Sequence, residues 1–339
     1  MTADPIRSAA GERGPAPGDP LDPQIRQFVT AMAQAWTRYP PAEKLSIGEM
    51  RRIAEEIREP WRRGGPVMAS TDELIASTAR GDVRVRIYRP IATEKLQPAL
   101  IYVHGGGWTL FSLDTHDRVM RELAARARVV VVGVDYALSP EVRFPFALHQ
   151  VEGVARWLHE RGATLGIDSS RLAIGGDSAG ANLSAATCLL LRDHGMPHVL
   201  NGMLLHYGCY SNELSDQAIN GYGAEGNLLT SEEMTGFWKN YLANPEDALD
   251  PLATPLRARL EGLPPACLLS AQCDVLAEQS VAFAARLRAA GVAVLATEYP
   301  GATHSFLEAV SIAAVADEAL RDGANWLRSC LGVASAEGA

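Results

Sequence analysis

Short apolar runs alternate with helical stretches along most of this 339-residue chain, and this alternation restricts the possible folds more than any other feature. Beyond residue 67, six runs of strand length occur: ALIYVHGG, VVVVGVDY, RLAIGGD, GMLLHYG, ACLLSAQCD and AVLATEYPG. Runs of this length without polar alternation are typical of parallel strands that helices cover on both faces. The segments between them repeat apolar residues at helical spacing. The pattern therefore predicts an α/β fold with a mostly parallel, twisted sheet.

Two regions depart from this alternation. Helical patterns at residues 23–36 and 46–62 precede any strong strand signal, and the first 20 residues, rich in Pro, Gly and Ala, predict disorder at the start. Residues 209–245 contain a Gly-rich stretch and then a helix that begins at Thr230 or Ser231. A helix inserted after the end of a strand would lie over the ligand crevice of such a sheet.

Composition and charge argue against several function classes. A net charge of −9 without a Lys/Arg-rich run argues against nucleic-acid partners. We find no signal-peptide pattern and no stretch of about 18 apolar residues, which predicts an unexported protein without a membrane partner. The five cysteines show no CxxC pair, as expected of thiols in a reducing cytoplasm. The expected location is the cytoplasm.

Ser178 stands at a predicted strand-to-helix corner in the segment RLAIGGDSAGANL. Gly176 and Gly180 flank it and complete the pattern G-x-S-x-G, which holds a serine hydroxyl clear of a sheet. The helix that follows would direct free N–H groups toward negative charge beside the serine. A serine that only caps a helix is the alternative interpretation. The flanking glycines favour a catalytic nucleophile.

The segment IYVHGGGW predicts a loop whose backbone can approach a ligand closely. Acyl transfer passes through an oxyanion that needs fixed donors, and the N–H groups of Gly106, Gly107 and Ala179 are the expected set. His104 and Gly105 are expected to support this loop. A core histidine and a metal ligand are the alternatives for His104, but no second His or Cys stands nearby at ligand spacing. We predict no metal site.

A nucleophilic serine needs a base, and the chain order Ser…Asp…His favours His304 after the last predicted strand. Asp274 ends the strand before it and would orient the imidazole, with Asp250 and Glu278 as rivals. The remaining histidines are weaker candidates because they fall in helical patterns, a loop or a strand run: His116, His149, His159, His194, His198 and His206.

Together, HGGG, DYALSPE, GDSAG, Asp274 and His304 resemble the hormone-sensitive-lipase-like group of α/β-hydrolases, and the bacterial acetyl esterases most. The resemblance covers about residues 70–330. It implies an α/β-hydrolase fold of about eight strands, a short-acyl carboxylic-ester hydrolase acting on a small-molecule ester, and no metal or organic cofactor. It further implies that Asp135 and Glu141 brace the glycine loop, and that a homodimer can form.

The resemblance also implies a domain division. Residues 66–208 and 246–335 would form the catalytic domain, residues 1–65 an N-terminal cap segment and residues 209–245 a cap insertion. The candidates for the pocket lining are aromatic: Phe111, Tyr207, Phe237 and Trp238. Two other functions stay open: a hydrolase of amides, lactones or peptides on the same triad, and a non-catalytic small-molecule receptor. The presence of His304 counts against the receptor.

Overall fold

In the computed structural model, which describes residues 20–224 and 226–334, the core is one eight-stranded sheet in the order β1-β2-β4-β3-β5-β6-β7-β8. The β1–β2 and β2–β4 pairs are antiparallel, and the other pairs are parallel. The strands are β1 (Ser70–Thr78), β2 (Gly81–Arg89), β3 (Gln97–Val103), β4 (Val130–Asp135), β5 (Ile167–Asp177), β6 (Gly202–His206), β7 (Ala266–Cys273) and β8 (Val294–Thr303). The predicted α/β fold is confirmed.

Helices cover both faces of the sheet, so the core has two layers. The α4, α5 and α8 helices pack on one face, and α3 and α9 pack on the other. Side chains of a strand alternate between these layers, so that Ile101 and Val103 join one while Leu100 and Tyr102 join the other. The five helices are α3 (Asp117–Ala127), α4 (Phe146–Arg161), α5 (Ala179–Asp193), α8 (Ala277–Ala289) and α9 (Ala314–Cys330).

Four further helices lie in the regions where the alternation breaks: α1 (Pro23–Trp36), α2 (Ile47–Arg62), α6 (Asp216–Tyr222) and α7 (Ser231–Tyr241). The α2 and α7 helices each begin with a capping box, in which the side chains of the N-cap residue and of a glutamate three residues later each accept a hydrogen bond from the other residue's backbone N–H. The residues are Ser46 and Glu49 at α2, and Thr230 and Glu233 at α7. The α6 helix was not predicted. The predicted disorder at the N-terminus falls on residues 1–19, outside the described residues. We propose that these four helices form the cap.

The first strand, β1, was also not predicted from its sequence. It is an edge strand whose residues are mostly exposed or half-buried, so its sequence STDELIAST lacks a continuous apolar signal. The exposed edge explains why polar residues are tolerated there.

Among the described helices, none is long and apolar enough to cross a membrane.

Candidate active site

Ser178 occupies a strained corner between β5 and α5. Its backbone φ of +53° lies in a region that non-glycine residues rarely adopt, and its side chain makes no helix-capping hydrogen bond. The flanking glycines are sterically required, because a Cβ atom on Gly176 or Gly180 would lie 2.0 or 1.9 Å from the carbonyl oxygen of Val103. This geometry favours the nucleophile interpretation of Ser178 over the capping one.

The structure brings Ser178, His304 and Asp274 together. The His304 Nε2 atom lies 3.0 Å from Ser178 Oγ, and its Nδ1 atom lies 2.8 Å from Asp274 Oδ2. The other Asp274 oxygen accepts a hydrogen bond from the Leu276 N–H at 2.9 Å. Tyr207 packs edge-on against His304, with the ring centroids 5.0 Å apart. All three triad candidates are buried, so bulk water does not compete for these hydrogen bonds.

The rivals of Asp274 make other contacts. An Asp250 oxygen accepts a hydrogen bond from the Leu252 N–H, and a Glu278 oxygen accepts one from the Ser215 hydroxyl. Neither hydrogen bond involves His304. Of the three acids weighed from the sequence, Asp274 is therefore the one whose position suits orientation of the imidazole.

The glycine loop presents backbone donors beside Ser178. Gly106 and Gly107 have φ values of +108° and +58°, which glycine adopts without strain. Within the described ranges, the N–H groups of Gly106, Gly107 and Ala179 donate to no other protein group. The Gly106 carbonyl accepts hydrogen bonds from the Thr109 and Leu110 N–H groups, at 3.0 and 2.8 Å. The loop is thus a tight turn with unused donors.

His104 and Gly105 hold the start of this loop. His104 Nδ1 lies 2.8 Å from the Gly105 carbonyl oxygen, and burial lowers the pKa of His104 to about 3, so the ring is neutral and its Nδ1–H can donate. Its ring stacks on Tyr136, whose hydroxyl donates to the His104 carbonyl at 2.9 Å. The Gly105 N–H donates to Asp177 Oδ1 at 3.1 Å. These contacts tie the loop to two neighbouring strands.

A buried charge pair behind the nucleophile escaped the sequence analysis. Asp177 Oδ2 lies 3.2 Å from His116 Nε2, and the Tyr102 hydroxyl donates to Asp177 Oδ1 at 2.7 Å. Burial opposes ionisation of Asp177, but the charge of His116 and the two hydrogen bonds outweigh it and lower the pKa of Asp177. Burial also opposes the charged form of His116, yet the Asp177 charge outweighs it and raises the pKa of His116. The pair therefore favours its ionised form.

The α7 helix packs its aromatic residues onto the glycine loop. Trp108 stacks on Tyr241 with the ring centroids 4.1 Å apart, and Trp238 lies 4.7 Å from Trp108. The Phe237 ring covers Gly107 so closely that a Cβ atom on Gly107 would lie 2.2 Å from it. Phe237 therefore forms a wall beside the unused donors.

The two acids that were expected to brace the glycine loop, Asp135 and Glu141, make different contacts. Asp135 pairs with Arg84 at 3.0 Å, on an exposed part of the sheet, so its expected role is wrong. Glu141 pairs with Arg51, which also donates to the Thr109 carbonyl in the glycine loop. Glu141 thus reaches the loop through an arginine of α2, which the sequence did not reveal.

The residues at this site include the groups that acyl transfer needs, since a hydroxyl, an imidazole and a carboxylate meet there and three N–H groups of neighbouring segments are unused within the described residues. Such a combination is typical of the class of α/β serine hydrolases. In the described part of the chain, no group of three His, Cys, Asp or Glu residues could hold a metal ion.

A family model described as the alpha/beta hydrolase fold matches residues 100–308, more than half of the chain. The chain belongs to this family. It is similar to a hyperthermophilic esterase from the archaeon Pyrobaculum calidifontis, with 32% identity over 91% of this chain and 98% of that one and a TM-score of 0.85. A thermophilic and thermostable carboxylesterase cloned from a metagenomic library shares 33% identity over 86% of this chain and 99% of that one, with a TM-score of 0.82.

A third similar structure is an ester hydrolase from the metagenome of Lake Arreo, solved with a derivative of bipyridine phosphonate. It shares 30% identity over 92% of this chain and 100% of that one, with a TM-score of 0.86. The sequence resemblance to hormone-sensitive-lipase-like α/β-hydrolases is thus confirmed at the level of the family. The likeness to acetyl esterases in particular stays a prediction.

Proposed function

We propose that this carboxylic ester hydrolase cleaves short-acyl, acetyl-like esters of small molecules through a Ser178–His304–Asp274 triad and an acyl-enzyme intermediate. The observation that carries the proposal is the unbroken hydrogen-bond path from Asp274 Oδ2 through the imidazole of His304 to Ser178 Oγ. Such a path activates a hydroxyl that is a weak nucleophile on its own.

In the proposed mechanism, Ser178 Oγ attacks the ester carbonyl while His304 Nε2 takes the hydroxyl proton. The carbonyl oxygen becomes an oxyanion, which the N–H groups of Gly106, Gly107 and Ala179 stabilise. The imidazolium then gives its proton to the leaving alcohol, and the acyl group stays on Ser178. His304 then takes a proton from a water molecule, which attacks the acyl group, and the imidazolium returns a proton to Ser178 Oγ as the bond to the acyl group breaks and the carboxylic acid leaves.

The proposed preference for short acyl groups rests on the wall that Phe237 forms over Gly107. Its ring leaves no room for even one added carbon atom at Gly107, so the space beside the oxyanion donors is limited on this side. A series of nitrophenyl esters from acetyl to decanoyl tests the preference. We expect kcat/KM to be highest at the short end, and Phe237→Ala to move the maximum toward longer chains.

The nucleophile is tested by Ser178→Ala with nitrophenyl acetate as substrate. We expect kcat to fall by up to about 10⁶-fold, the loss that removal of the nucleophile causes in another triad enzyme. Ser184→Ala is the matched control, because Ser184 is a buried serine of α5, the helix that follows Ser178, and its hydroxyl donates to the Gly180 carbonyl. Wild-type turnover by Ser178→Ala would refute the proposal.

The proposal also includes cleavage of esters in preference to amides, a cytoplasmic location and a homodimer. Comparison of kcat/KM for a matched ester and amide separates an esterase from an amidase, and turnover of neither together with tight ligand binding would favour a receptor. Cytoplasmic location is supported by the cysteines, because none of the five, all within the described residues, forms a disulfide. Light scattering in solution tests the proposed homodimer.

A further inference from the structure

The α2 helix carries a polar stripe that faces the catalytic loops. Arg51, Glu55 and Arg58 stand four and three residues apart, which places them along one side of a helix. Each of them makes a side-chain contact with the segment that follows Gly107. The helix lies outside the residues that the family model matches. We call these three residues the α2 stripe.

The Arg51 side chain holds the glycine loop by hydrogen bonds to backbone carbonyl groups. Its Nε–H donates to the Thr109 carbonyl at 2.8 Å, and its Nη2–H donates to the Ser139 carbonyl at 2.9 Å. Both terminal nitrogens donate to the Glu141 carboxylate at 2.7 Å, which fixes the plane of the guanidinium group. Because the Thr109 N–H closes the turn onto Gly106, Arg51 fixes the end of the turn that carries the oxyanion donors.

Arg58 links the same loop to the turn that follows His304. Its guanidinium lies 3.9 Å from the centre of the Phe111 ring, and the Cδ2 atom of that ring would lie 2.7 Å from a Cβ atom on Gly106. The Arg58 Nε–H also pairs with Glu308 at 3.0 Å, and both side chains are largely buried. Phe111 therefore lies close to both Arg58 and Gly106, and Glu308 links Arg58 to the turn that follows His304.

Glu55 completes the stripe between these two arginines. Its Oε1 atom accepts a hydrogen bond from the Ser112 hydroxyl at 2.6 Å. The stripe therefore contacts three positions of the loop segment, at Thr109, Phe111 and Ser112. A segment held at three points has little freedom to displace its N–H donors.

We propose that the α2 stripe positions the oxyanion donors relative to Ser178, with Arg51 and Arg58 as positioning residues for the chemical step. This inference rests on the proposed triad mechanism and adds to it a role for a helix outside the sheet. Fixed donors matter because each one contributes about 10²- to 10³-fold in kcat, and a displacement of about 1 Å can cost 10²-fold. The contacts should therefore support the transition state more than substrate binding.

The test uses Arg51→Met in the full-length protein, with Arg52→Met as the matched control. Arg52 is the next residue on the same helix, but its exposed side chain pairs, among the described residues, only with Glu56. For Arg51→Met, we expect kcat with nitrophenyl acetate to fall about 10- to 100-fold while KM changes less than about twofold. For Arg52→Met, we expect both constants to stay within about twofold of the wild-type values.

A second readout separates positioning from general stability. A trifluoromethyl ketone forms a hemiketal oxyanion with Ser178 and so uses the same donors as the intermediate. Its inhibition constant should rise for Arg51→Met by the factor by which kcat falls. Arg51→Lys, which keeps the charge but lacks the fork of donors, should give a smaller loss.

The buried pair is tested by Arg58→Met combined with Glu308→Leu, because removal of Arg58 alone would leave a buried charge unpaired. This double variant should also show a lower kcat with little change in KM. It tests the positioning role of the α2 stripe even if Arg51→Met does not fold. Unchanged kcat and ketone affinity in the folded variants, or an equal loss in Arg52→Met, would overturn the inference. If the inference about the α2 stripe fails in this way, the triad proposal is still supported as long as the wild type is active and Ser178→Ala is not.

Discussion

Replacement of Gly180 by alanine should disrupt both folding and catalysis, because the added methyl group meets backbone and not a movable side chain. The new Cβ atom would lie 1.9 Å from the Val103 carbonyl oxygen, whereas ordinary contact begins at 3.4 Å. The start of α5 or the end of β3 must therefore move by about 1.5 Å. Overpacking typically costs about 1–3 kcal/mol where neighbours can adjust, so we expect at least about 3 kcal/mol here.

This free-energy loss corresponds to a thermal midpoint lower by roughly 4 °C, since unfolding entropy is about 0.7 kcal/mol/K for a chain of this length. Because Ser178 lies two residues from the substitution, we also expect kcat to fall by about 10²-fold or more. Tryptophan fluorescence during heating and nitrophenyl acetate turnover measure the two effects.

Gly236→Ala is the matched control for the same chemical change. Gly236 is exposed within α7, nothing lies near its missing Cβ atom, and the alanine should stabilise the helix by up to about 1 kcal/mol. A soluble Gly180→Ala enzyme with the wild-type midpoint and wild-type kcat would refute the steric reasoning.

Two further predictions concern the triad and acid stability. Asp274→Asn should lower kcat by about 10⁴-fold, because an amide cannot hold the required tautomer of His304, and a loss below tenfold would contradict this role. Burial lowers the pKa of His206 from 6.5 to about 4, so the unfolded chain binds a proton that the folded protein does not. Lowering the pH from 7 to 5 should therefore cost on the order of 2 kcal/mol of stability at this site. In the His206→Gln variant, the thermal midpoint should therefore fall less between pH 7 and pH 5 than in the wild type. An equal fall in both proteins would show that His206 is not the cause of the acid destabilisation.

The sequence predicted those parts of the fold that leave a local pattern. The central strands are buried on both faces, so each one appears as a continuous apolar run, and α2 appears as a helical pattern over residues 46–62. The edge strand β1 leaves no such pattern because most of its side chains reach solvent. The short helix α6, of seven residues, is likewise too brief to show a helical period.

The supporting contacts of the site could not be predicted because they join residues far apart in the chain. Asp177 and His116 are separated by 61 positions, and they meet only because the fold brings the residue before α3 close to the end of β5. Arg58 and Glu308 are separated by 250 positions. In the sequence, Arg51 and Arg58 are charged residues on a helix, and such residues usually face solvent. Only the packing of α2 against the catalytic loops reveals their partners.

The charge pair behind the nucleophile has a consequence for the electrostatics of ester cleavage. The Asp177 carboxylate adjoins Ser178 in the chain, and alone it would repel the negative oxygen that forms during attack. The Asp177 charge favours protonation of His116, and a positive charge on His116 offsets part of that repulsion. The glycine loop thus has a carboxylate acceptor for the Gly105 N–H, and His116 reduces the effect of that carboxylate on the negative charge that develops at the reacting carbonyl.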